Sequence, residues 1–110
     1  MQEAAVAIRT LIPKARASFG SKQVRDDHKV VAKRLESFGA LFESVPVPPA
    51  HKNSHAKRVL ALSLLAQSAG ELGSFLDTGV DDTANDAVIS LSEALKALQE
   101  AEQTYRSERS

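Results

Sequence analysis

The chain contains no cysteine. Disulfides, a thiol nucleophile and thiolate metal centres are therefore excluded. Tryptophan is also missing, tyrosine occurs once and aromatic residues make up only 5%. A core must come chiefly from Leu, Val, Ile and Phe. There is no net charge. Apolar runs are short: Leu62 to Ala66 is already broken by Ser63, and none nears the roughly 20 residues that span a bilayer. No segment reads as a signal peptide. Enzyme signatures are missing as well, including a glycine-rich phosphate loop, a nucleophile elbow and a metal-hydrolase histidine pair with its glutamate. Residues 81–86 are acidic but lack the glycine and closing glutamate of a calcium loop. No serine has a base placed by spacing. Neither an enzyme nor a cofactor is expected.

What is present describes one ordinary domain. The chain has 110 residues, 43% hydrophobic and 25% charged. That length buries roughly two thirds of the unfolded surface, enough for a core without metal or disulfide. Charge is unevenly divided. Residues 1–58 hold eleven Lys/Arg against five Asp/Glu, and residues 59–110 hold three against nine. One half is thus basic and the other acidic, a pattern that bears on partners rather than on fold.

Three breaks divide the chain: Phe19-Gly20-Ser21, Val45-Pro46-Val47-Pro48-Pro49 and Thr78-Gly79-Val80-Asp81-Asp82. Gly20 and Gly79 suit the left-handed position past a helix end. Pro46 should stop the second helix and push Val45 to extended geometry. Ser21 is read as a helix cap, and Thr83 with Asp86 as a relaxed capping box. Asp81, Asp82 and Asp86 favour the positive end of the last helix dipole.

Between the breaks the apolar spacing is helical. Ala5, Ile8, Ile12, Ala15 and Phe19 form one stripe. Val24, Val31, Leu35, Phe38, Phe42 and Val45 form a second, with His28 in its gap. Val59, Leu62, Leu65, Ala69, Leu72 and Leu76, widened by Leu60 and Leu64, form a third. Ala84, Val88, Leu91, Leu95, Leu98 and Tyr105 form a fourth. The expected architecture is all-α: an antiparallel up-and-down four-helix bundle, with helices at about 2–19, 21–45, 50–78 and 83–107. The interior Pro13 costs about 3 kcal/mol, so the first helix is expected to be kinked or split there. Ala66, Ala69 and Gly73 are expected to admit a close neighbour, with Ala87, Ala94 and Ala101 as the matching surface. Short connections favour antiparallel neighbours, which brings both chain ends to the pole of the proline-rich connection.

Three groups of residues are candidates for function. His51 and His55 share a helical face and offer two metal ligands, with a carboxylate from Glu3, Glu43 or Glu102 needed at the same pole. The plainer reading is solvated or capping residues at a helix start. Asn53 and Ser54 leave room for that helix to begin late enough to separate the pair. His28 reads as a core-edge histidine hydrogen-bonded to a neighbour; held neutral, it would make the fold acid-sensitive. Lys22, Arg25, Lys29 and Lys33 form a basic ridge on the second helix, able to track phosphates or an acidic surface. Asp26, Asp27 and Glu36 interrupt it and no aromatic is interleaved, so nucleic acid is not the expected partner. Asp86, Glu93 and Glu100 form an acidic ridge on the fourth helix. Two outward ridges of opposite sign cannot pair within one bundle; they are able to pair between molecules, or each to meet a different partner.

The stretch Phe42-Glu43-Ser44-Val45-Pro46-Val47-Pro48-Pro49-Ala50-His51, followed by His55 and two leucine/alanine helices, resembles helical-bundle domains of exported bacterial proteins and lipoproteins of unassigned function. The resemblance covers roughly half the chain and implies an extracytoplasmic bundle with no catalytic role. It carries over no functional residue. Localisation is read as extracytoplasmic if the chain is trimmed from an exported protein, and otherwise as cytoplasmic. The expected function is a non-enzymatic interaction or scaffold domain that binds protein partners or itself. The alternatives are a ligand- or ion-sensing bundle, sited at His51 and His55 or near Gly70 and Gly73, and an anionic-surface binder acting through the basic ridge.

Overall fold

Four α-helices and one 3-10 turn hold nearly all of residues 1–109, which a computed structural model describes. No strand occurs among the described residues. Helix α1 spans Gln2–Ala17, α2 Lys22–Ser44, α3 Lys52–Thr78 and α4 Asp81–Arg109, and the 3-10 turn Pro49–His51 runs directly into α3. Neighbouring helices are antiparallel. Arg25 of α2 meets Leu76 and Asp77 of α3, whereas Phe42 meets His55. Ser68 of α3 meets Ala87 of α4, whereas Lys57 meets Glu100. Arg16 of α1 meets Asp81, whereas Met1 shares a cleft with Tyr105. The result is an elongated helical bundle of 47 × 23 × 17 Å.

Helix α3 is the centre of the bundle. It touches α1, α2, α4 and the 3-10 turn, while the backbones of α2 and α4 stay more than 8 Å apart. This explains its composition. The run Pro49–Thr78 is long and apolar enough, by length and composition alone, to cross a membrane. Part of this apolar surface meets three neighbours, so it spreads round the helix rather than forming one stripe, while Val59 and Leu60 stay exposed.

The closest pair is α3 with α4. Ala61, Leu65, Ser68 and Leu72 on α3 and Ala84, Ala87, Ala94 and Ala101 on α4 are all almost fully buried. Small side chains let two helix backbones approach. Ser68 Oγ donates to the Ala87 carbonyl oxygen at 2.7 Å, and Ser90 Oγ donates to Glu71 Oε1. The buried hydroxyls are thereby satisfied, as burial requires. The expected role of Ala87, Ala94 and Ala101 holds, but their counterpart differs. Ala66 is exposed beside α2, and Gly73 backs onto His28 of α2 rather than onto α4.

Several expected features shift. Helix α1 is continuous through Pro13, so it is not split. The proline ring is exposed, on a side where the Arg9 carbonyl that loses its helical donor can face water. Ser21 caps α2 as expected, accepting from the Val24 amide at 3.4 Å, and Val45 is extended ahead of Pro46. Helix α4 begins at Asp81, which puts Thr83 inside the first turn and not at the cap. There the Thr83 amide donates to the Val80 carbonyl at 3.0 Å. The two carboxylates of Asp81 and Asp82 stabilise that earlier start through the helix dipole. Phe19, Val45, Val59, Leu60 and Val88 are exposed rather than core. Phe19 and Val45 lie beyond helix ends, and Phe19 folds edge-on against Phe75 with ring centroids 5.6 Å apart. On α4, Ala87 takes the inward position beside Val88.

Gly79, with φ of 71°, closes α3 in the left-handed region, and a side chain there would also strike the Phe19 ring. The two glycines within α3 differ sharply. A Cβ on Gly70 would meet nothing within 4 Å, whereas one on Gly73 would lie 3.0 Å from His28 Cε1. Gly70→Ala is therefore expected to stabilise the fold by up to about 1 kcal/mol through helix propensity. Gly73→Ala should lose most or all of that gain by displacing His28. Urea unfolding of both variants measures the contrast; equal stabilisation would contradict the His28 packing. Separately, Ala94→Leu should destabilise by about 1–3 kcal/mol, because an extra isobutyl group must wedge a closed seam apart. Chemical denaturation at constant m-value tests it.

Candidate functional site

The pole holding both chain ends collects the richest chemistry. The end of α2 supplies Leu41 and Phe42, the connection supplies Val45 to Pro48, the 3-10 turn supplies His51, α3 supplies His55 and Arg58, and α4 supplies Tyr105. These residues line a cleft of about 290 Å³. A second cleft of about 340 Å³ adjoins it and shares Leu41, Phe42, Arg58 and Tyr105, adding Met1, Phe38, Leu98 and Glu102.

Local folding explains this convergence. Pro46 and Pro48 hold the connection extended and Pro49 starts the 3-10 turn, since proline suits the first helical positions. His51 thus sits in the turn and His55 one helical turn into α3, and the two rings find different neighbours. The His51 ring stacks at 4.9 Å and 33° on Tyr105 of α4. The His55 ring meets Phe42 of α2 edge-on at 5.4 Å. No cluster of three or more His, Cys, Asp or Glu able to hold a metal exists among the described residues. Glu3 and Glu43 are exposed, and Glu102 is paired with Arg106 at 2.7 Å. The carboxylate that does reach His51 is Glu108, which the sequence spacing did not single out.

Glu108 ties the end of α4 to the start of α3. Its Oε2 accepts from the Ser54 amide at 3.5 Å, and its Oε1 lies 3.6 Å from His51 Nδ1. Ser54 is fully buried, and its hydroxyl donates to the His51 carbonyl at 3.1 Å. That amide is one of the unpaired donors at a helix N-terminus, where negative charge is favoured. The neighbouring Ser54 hydroxyl lowers the Glu108 pKa below the ordinary carboxylate value, against the upward push of burial, and the Ser54 amide and His51 add to the lowering. His51 Nδ1 and Glu108 Oε1 are both buried and face each other without a hydrogen bond.

Tyr105 is the hub of the pole. Besides His51, it carries the Arg58 guanidinium 5.0 Å from its ring centroid and that of Arg109 at 5.6 Å. Cations over an aromatic face are held by the ring quadrupole.

The remaining candidates are dispersed. In the basic ridge, Lys22, Lys29 and Lys33 are exposed. Arg25 leaves it: one nitrogen donates to the Leu76 carbonyl at 2.6 Å and another lies 3.4 Å from Asp77. It thereby caps the negative end of α3. In the acidic ridge, Asp86 and Glu93 are exposed, but Glu100 is half-buried and pairs with Lys57 at 3.5 Å. Lys57 lies on α3, outside the basic ridge, so this pair engages Glu100 without joining the two ridges. His28 is the core-edge histidine expected: its Nε2 donates to the Ala69 carbonyl oxygen at 2.7 Å. A neutral or a protonated imidazole can make that bond. Next to it a groove of about 430 Å³ runs between α2 and α3, past Ala66 and Gly70. Gly73 itself is filled against by His28.

Comparison with protein families, with curated proteins and with solved structures finds no match to this chain. The pole is therefore interpreted from its own geometry.

Glu108 gives a pH prediction with a definite sign. Its carboxyl is more acidic folded than unfolded, so its contribution is complete above the ordinary carboxylate range. The contribution disappears as pH falls through the lowered folded value. Wild type should thus lose more thermal stability between pH 6 and pH 3 than Glu108→Gln, and the two should converge at the acid end. Parallel curves for the two proteins would show that Glu108 is not held by Ser54 and His51.

Proposed function

We propose that this chain is a non-enzymatic ligand-binding bundle whose recognition site is the proline–histidine pole. The observation that carries the reading is the convergence of apolar walls with oriented polar groups. Phe42, Leu41 and Val47 give the walls, and His51, His55, Arg58 and Tyr105 converge from two helices and a turn. Concave sites of this make-up, apolar with a few placed polar groups, are the usual form of small-molecule sites. The chemistry favours binding over turnover. The Ser54 hydroxyl is committed to a backbone carbonyl, and both histidine rings are held by aromatic partners.

A second reading keeps the chain as a protein-interaction domain. It is favoured by the groove between α1 and α4, about 600 Å³, floored by Ile12, Leu91 and Leu95 and rimmed by Arg9 and Arg16. Nearby Val88 and Ile89 are exposed. An amphipathic helix from a partner or a second copy would fit such a groove. The charge ridges support this reading less, because Arg25 and Glu100 are engaged within the molecule.

Amide chemical-shift mapping with a mixed set of anionic, cationic and neutral small molecules separates the two. The first reading expects saturable shifts at Phe42, His51, His55 and Tyr105. Shifts confined to the α1–α4 groove, with dimerisation by light scattering, would move the conclusion to the second.

A further inference from the structure

Seven arginines occur in the chain, and only Arg25 and Arg58 are half-buried rather than exposed. Their surroundings are opposite. Arg25 has the Leu76 carbonyl and Asp77. Arg58 has neither a carboxylate nor a hydrogen-bond acceptor among the described residues, only the face of Tyr105. Its nitrogens are not among the buried unpaired atoms, so the guanidinium opens to the cleft, held in place by the ring and with its donors available to an incoming anion. The residues that line the 290 Å³ cleft include no Asp or Glu at all; their polar members are His51, His55, Arg58 and Tyr105. The rest of the lining is apolar, from Leu41 through Pro48.

We propose that this cleft binds a small amphipathic carboxylate, with the carboxylate on Arg58 and the apolar body against Phe42 and Val47. This inference rests on the ligand-binding reading of the pole and adds to it the charge and class of the ligand. A planar guanidinium matches a carboxylate through two parallel N–H···O bonds, which fixes the headgroup more tightly than a point charge would. The cleft volume is at the lower limit for small-molecule pockets, so it suits a short acyl chain or single ring rather than a peptide segment. Glu102, the one acid lining the adjoining cleft, is paired with Arg106 and does not compete for Arg58.

Octanoate, with 1-octanol and octylammonium as matched probes, tests the proposal by isothermal titration and amide chemical-shift mapping on the full chain. Octanoate should saturate the Phe42, His55 and Tyr105 amides and bind about tenfold or more tightly than octanol, the factor expected of a charge-assisted pair. Octylammonium should bind more weakly than octanol. Arg58→Gln should bring octanoate down to the octanol level while leaving octanol unchanged. Val47→Glu, in a loop outside the helical core, should also abolish octanoate binding by charge repulsion, so the test does not hang on one variant. If octanol binds the pole as tightly as octanoate, or if Arg58→Gln leaves octanoate affinity unchanged, the carboxylate assignment is overturned while the binding site stands. If none of the three probes perturbs the pole, the assignment and the ligand-binding reading both fall.

Discussion

The fold depends on the closeness of α3 and α4. Alanines and serines along both helices bring the backbones together, and the bond from Ser68 to the Ala87 carbonyl fixes their register. A buried hydroxyl left without a partner would cost on the order of 1–3 kcal/mol, so sliding α4 by one turn is opposed electrostatically as well as sterically. Everything at the poles follows from that register. It sets Tyr105 against His51, Glu108 against the Ser54 amide and Glu100 against Lys57. The aromatic pole is therefore a consequence of a seam of small residues some distance away.

Polar groups finish what burial begins. Arg25 neutralises the carbonyl end of α3, Glu108 meets its amide end, and Arg16 reaches Asp81 and Asn85 at the start of α4. Arg25 and Glu108 place charge where the α3 dipole favours it, and Arg16 sits in the last turn of α1, where a cation is favoured. Exposed pairs of this kind are worth little individually, but these lie where one helix ends against another, so they fix alignment more than they add stability.

Much of the fold was legible in the sequence because periodic Leu, Val and Ile side chains specify faces. Leu35, Leu65, Leu72, Leu91 and Leu98 are buried where the spacing places them. The alanine heptads of α4 were legible for the same reason. What spacing cannot convey is which neighbour a face meets. Gly73 was read as room for α4, but it makes room for His28. Val59 and Val88 follow the apolar rhythm yet face outward, because α3 and α4 meet through Ala and Ser, which hydropathy underweights. The site was less legible. His51 and His55 drew notice as a pair, and the structure separates them. Arg58 and Glu108 carried no local signal, since a basic and an acidic residue on helices look solvated until the third dimension brings Tyr105 and Ser54 to them.

Helix α2 is tied to the bundle differently from the others. Only Val24, Val31 and Leu35 of its 23 residues are buried, and its backbone stays more than 8 Å from that of α4. Its polar attachment to α3 consists of three long-range hydrogen bonds, two from Arg25 and one from His28, grouped toward its N-terminal half. Regions with few buried apolar contacts open at lower free energy than the global fold. No residue from 36 to 53 is buried, so the C-terminal half of α2 and the proline connection have the thinnest apolar anchoring. That stretch bounds the aromatic cleft, so one side of the cleft is built from loosely buried chain and the other from the closely packed α3–α4 pair.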